Sequence, residues 1–185
     1  MAGIVDSRAR MWRLVAEVVS SPGEELATRL NSGTWIADVH EAVGWLGEAA
    51  QRFQPGLDAV TDCIAAAPVT AGGLNRGLEA TVARDHASVA AAIEDLCVQL
   101  AAEQRAWSSG DDDHAKTLRL AQHDLLHTRM VPAVQQWCYA ALHQRESPVL
   151  GSLAAVLATV LSMETGRDFE RGMQGRDFRI TDDIT

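Results

Sequence analysis

The sequence predicts an all-α protein, a single compact bundle of six or seven helices, and three observations carry that expectation. Apolar residues recur at spacings of three and four in block after block, the repeat that lines one face of a helix. No stretch shows the period-two alternation between hairpin turns that marks strands. Short Gly, Pro, Ser and Asp clusters punctuate the blocks where loops between packed helices belong. At 185 residues, 47% hydrophobic and 22% charged, the chain has the length and composition of one folded domain rather than of a disordered segment.

Trp12, Val15, Ala16 and Val19 form one face of a first helix after a polar Asp6-Ser7 start. Ser21-Pro22-Gly23-Glu24 places a capping hydroxyl before a proline at the first helical position, opening a short second helix that runs to about Asn31-Ser32-Gly33. Thr34 caps a third helix carrying Ile36, Val39, Val43 and Leu46 and ending before Pro55-Gly56; Leu57, Val60 and Ile64 mark a fourth, stopped by Pro68. Residues 68–73 are the expected flexible connection. A long fifth helix follows with Leu78, Val82, Val89, Ile93, Leu96 and Leu100 in one stripe, broken at Ser108-Ser109-Gly110. The aspartates 111–113 cap a sixth, which starts near His114, bends or breaks near Pro132 and resumes through Trp137 and Leu142. Ser147-Pro148 opens the last helix, apolar around much of its circumference and therefore expected at the centre. Residues 1–165 are read as the helical domain and 166–185 as a polar, mobile tail.

The net charge is −9, from 25 acidic against 16 basic residues, with no Lys/Arg block of the kind a phosphate backbone requires, so no nucleic acid is expected as partner. An acidic surface suits a basic peptide instead. Cys63, Cys97 and Cys138 are scattered, odd in number and never in a C-x-x-C pair, the pattern of free thiols in a reducing cytoplasm. The first residues lack an apolar signal core, and the longest apolar stretch, Val149 to Met163, is shorter than the ~20 residues of a spanning helix. Export and stable membrane insertion are not expected.

His86 falls on the stripe between Val82 and Val89, with Asp85 just off it. Taken alone, that is more often a hydrogen-bonded core histidine than a functional one. His123 and His127, four apart on one helix, could converge on a metal, with Asp124 nearby, but no H-E-x-x-H pattern and no third ligand accompany them, and no metal is expected. Nucleophile elbows, phosphate-cradling loops and dinucleotide fingerprints are absent, so the expectation is a protein without enzymatic activity or cofactor. Of the five tryptophans, Trp137, just beyond the proline bend, is the candidate to line a groove for an apolar peptide.

Several segments, in order, resemble one family. Residues 10–16 with Ser21-Pro22-Gly23 look like the opening helix and turn of the TorD/DmsD/NarJ-like chaperones. Ala83-Arg84-Asp85-His86 resembles their Pro-x-Asp-His motif, Leu126 to Pro132 their later His-Leu-x-x-Trp-x-Pro segment, and Ser147 to Leu161 their closing apolar helix. Only 26 residues separate Asp58 from Asp85, where the family carries a longer stretch with an aromatic element.

The resemblance implies a TorD-like helical fold and a cytoplasmic chaperone, monomeric or weakly dimeric, acting in anaerobic respiration. Its client would be the catalytic subunit of a molybdopterin-dependent oxidoreductase, bound through a twin-arginine leader peptide during cofactor insertion. Asp85, His86 and His127 carry over from the family's motifs, with Asp85 pairing with the leader's arginines and His86 orienting it. A small metal-binding enzyme using His123 and His127, and a generic helical adaptor, are the alternatives.

Overall fold

The computed structural model describes residues 2–82, 86–143 and 147–165. Helix α1 spans Ala2–Ser20 and starts earlier than the Asp6-Ser7 signal, because Val5 and Ala9 extend the Trp12 face and are themselves buried. Helix α2 is Glu24–Ser32, and the expected Ser21 cap is not made: Gly23 is the N-cap residue with no side-chain bond, and Glu24 and Glu25 place negative charge in the first turn. Gly33, at φ 75°, ends α2 and begins α3 (Thr34–Ala42); a residue with a Cβ would be strained in that left-handed conformation. Thr34 is thus the first helical residue, not the cap.

The third helix does not continue to Pro55 as an α-helix. It passes at Val43 into a 3₁₀ segment, Val43–Phe53, interrupted where Gly47 takes φ 57° and ψ −129°. Two glycines, Gly44 and Gly47, weaken the helix here. Helix α4 is Gln54–Ala66, with Pro55 in its first turn, where a missing N–H costs nothing.

Gly72 and Gly73, placed in a loose connection by sequence, fall inside α5 (Ala71–Val82), whose first turn Thr70 caps by accepting from the Gly73 N–H at 3.1 Å. The connector that remains is held by Asn31, which donates to the Val69 carbonyl at 2.7 Å and accepts from the Val69 N–H at 2.9 Å. The expected fifth helix is present as α5 and α6 (His86–Ser109), on either side of residues 83–85, which lie outside the described residues. The two pack against different partners, α5 on α2 and α8, α6 between α1 and α7.

Helix α7 is Asp112–Leu125, and Asp111 caps it by accepting from the His114 N–H at 3.1 Å. The bend expected at Pro132 takes a definite form: a π-helical turn, Leu126–Met130, runs straight into α8 (Val131–Leu142), so the widened turn sits where the proline withholds a backbone donor. Helix α9, Pro148–Thr165, lies between α4 and α8 and is the central helix the sequence predicts. By length and mean hydropathy it could also cross a membrane, but half of the qualifying window is buried against its neighbours. One continuous apolar core reaches from Ala9 to Leu161, and the described residues contain no strand: the fold is an all-helical bundle. The tail, 166–185, lies outside the described residues.

Candidate functional site

Helix α6 begins at His86, and its first two turns face the junction where the π turn becomes α8. Ala87, Ser88 and Ala91 from α6 and Arg129, Pro132 and Ala133 from the other side line a cleft of about 560 Å³. Two segments about forty residues apart in sequence, one directly after Ala83 to His86 and the other around Pro132, thus share one cleft. Small side chains on α6 keep it open, and the π turn sets the opposite wall. Arg129 is held by Asp95, Nη1 to Oδ2 at 2.6 Å, so the carboxylate offsets the cation on that wall.

Asp85 and the side chain of His86 lie outside the described residues. His127 sits in the π turn, half-buried, with its ring 4.2 Å from that of His123 and tilted by 40°. Among the described residues no group of three His, Cys, Asp or Glu side chains gathers as a metal site. Trp137 does not line this cleft. It is 2% exposed, one of the buried residues of α8 with Val134, Cys138 and Ala141, and its Nε1 has no partner among the described residues.

A second constellation escaped the sequence reading. Glu103 on α6 is wholly buried and accepts from Gln122 Nε2 at 2.9 Å and Trp107 Nε1 at 3.1 Å, with Arg119 Nη2 at 2.7 Å. Arg8 of α1 hydrogen-bonds the side-chain oxygen of Gln122 through Nη1 and grips Glu164 of α9 through Nε and Nη2. Two cations therefore balance two carboxylates, with Arg8, Glu103 and Glu164 nearly dry and Arg119 half-exposed at the edge. The sequence signal was there: Arg8 precedes Trp12 by four, Glu103 follows Leu100 by three and Glu164 follows Leu161 by three, so each continues an apolar stripe.

A larger groove of about 740 Å³ lies between α2, α3 and α4, floored by Leu30, Ile36 and Leu57. Its rim acids are already engaged, Glu41 by Arg10 at 2.9 Å and Asp58 by Gln54 at 2.7 Å. No protein-family model, curated protein or solved structure matches this chain.

Proposed function

We propose that this protein is a cytoplasmic chaperone for the catalytic subunit of a molybdopterin-dependent oxidoreductase, holding it through its twin-arginine leader until cofactor insertion is complete. The observation that carries this reading is the shared cleft between the start of α6 and the π turn before Pro132: Ala87, Ser88 and Ala91 directly follow the segment that resembles the chaperones' Pro-x-Asp-His motif, and Arg129 and Pro132 belong to the segment that resembles their later one. A leader peptide presents fixed positive charge and then an apolar run. The acidic chain attracts the first, and a cleft walled by alanines and a proline accommodates the second. Asp85 immediately precedes α6, next to that cleft in sequence.

Tagged protein expressed in its own host during respiration on alternative electron acceptors should retain a molybdopterin-enzyme subunit. With a synthetic twin-arginine peptide, Asp85→Ala should lower affinity by roughly tenfold to a hundredfold, the value of one charge-assisted contact. Asp58→Asn, in the other groove, should leave affinity unchanged. Salt should weaken the wild type more than the Asp85 variant. If no such subunit is retained and the peptide binds equally to both variants, the chaperone reading is wrong.

A further inference from the structure

A cavity of about 280 Å³ lies beside the buried ion network, between α1, the 3₁₀ segment, α7 and the end of α9. We propose that it binds a small monocarboxylate carried on a short apolar body. Trp45 lines the cavity, and its Nε1 is buried with no acceptor among the described residues. A donor withdrawn from water without an acceptor is unfavourable, and a ligand oxygen relieves it. Arg119 lines the same cavity and spends only Nη2 on Glu103, so the rest of a half-exposed guanidinium faces no protein partner among the described residues. Arg8, by contrast, commits Nε and both terminal nitrogens to Glu164 and Gln122.

The charge balance selects the ligand class. Arg8 and Arg119 are offset by Glu103 and Glu164, the latter itself in the cavity wall, so a multiply charged phosphate meets carboxylate repulsion. A single planar carboxylate can take the indole N–H and the spare guanidinium N–H groups together. Ile4, Leu126 and Met163 supply an apolar wall for the body that carries it. The carboxylate can belong to a free acid or to the last residue of a polypeptide, and the two are separable by experiment.

Full-length protein with ¹⁵N-labelled tryptophan gives a separate indole N–H signal for each of five indoles, and the one missing in Trp45→Phe is that of Trp45. Titration with hexanoate or with N-acetyl-leucine should move that signal downfield saturably, while hexanol and inorganic phosphate at matched ionic strength should not. Response to hexanoate alone identifies a free acid, and response to N-acetyl-leucine alone a chain terminus. Arg119→Gln should weaken binding about tenfold or more, with Glu103 still held by Gln122 and Trp107. No saturable shift with either acid, or an equal shift with hexanol or phosphate, overturns the proposal, as does unchanged affinity in a folded Arg119→Gln. No client is in the tube, so the outcome is independent of the chaperone reading.

Discussion

Arg8 and Glu164 stand 156 residues apart in sequence and meet in a two-pronged ion pair, Nε to Oε1 at 2.6 Å and Nη2 to Oε2 at 2.5 Å, that fastens α1 to the end of α9. Both side chains are nearly dry, at 11% and 4% exposed, so removing either breaks a buried charge pair. Arg8→Met or Glu164→Leu alone should destabilise the protein by about 3–5 kcal/mol in urea denaturation. The double variant should cost clearly less than the sum, because no unpaired charge is left. An additive double variant would show that the pair is not coupled.

Within α5 the same substitution should have opposite signs at two positions. A Cβ on Gly77 would come within 2.5 Å of Leu150 Cδ1 and 3.2 Å of Ser147 Cβ, so Gly77→Ala should cost about 1–3 kcal/mol through forced repacking against α9. A Cβ on Gly72 meets only the flexible end of Arg76, at 3.8 Å. Gly72→Ala should therefore stabilise by about 0.5 kcal/mol, chiefly by restricting the unfolded chain. Thermal midpoints of the two variants moving in the same direction would contradict the packing described for α5.

Two carboxylates should tilt the pH dependence of stability in opposite directions. Burial raises the Glu17 carboxyl above its ordinary value, against the pull of Arg29, so the folded protein holds that proton more tightly than the unfolded chain. Its contribution to stability is greatest in acid and declines as pH rises through the ordinary carboxylate range. Glu17→Gln should thus gain on the wild type as pH rises above the ordinary carboxylate value of about 4.3. The hydrogen bond and charge of Arg10 hold Glu41 below its ordinary value, so its contribution is present at neutral pH and lost on acidification. Glu41→Gln should lose ground to the wild type as pH rises towards the ordinary carboxylate value of about 4.3. Urea midpoints followed across pH check both slopes.

Cys138 is wholly buried, donates to the Ala154 carbonyl at 3.5 Å, and has its thiol pushed far above the ordinary value by desolvation. A thiol reagent at about pH 8 should label Cys63 and Cys97, both half-buried, well before it reaches Cys138. Labelling of Cys138 should track global unfolding in denaturant, as mass spectrometry of the digested protein would show. Early labelling of Cys138 would mean that α8 and α9 separate locally.

The sequence by itself determined the helices and most of their ends, because periodicity and capping are local: Asp111 caps α7, Pro132 marks the bend, and α9 is apolar all round because it is central. Local signals misled where a glycine or a proline had more than one use. Ser21-Pro22 looked like a cap but precedes the Gly23 cap, and Gly72-Gly73 looked like a loop but lies inside α5. Only the tertiary structure decided which distant residues meet. It buried Trp137 in the core, set the start of α6 across a cleft from Pro132, and assembled Arg8, Glu103, Arg119 and Glu164 from four helices. The spacing of a charged residue on an apolar stripe marks it for burial. Its partner is chosen by the packing of whole helices, which depends on shape and volume across the core and leaves no periodic trace along the chain.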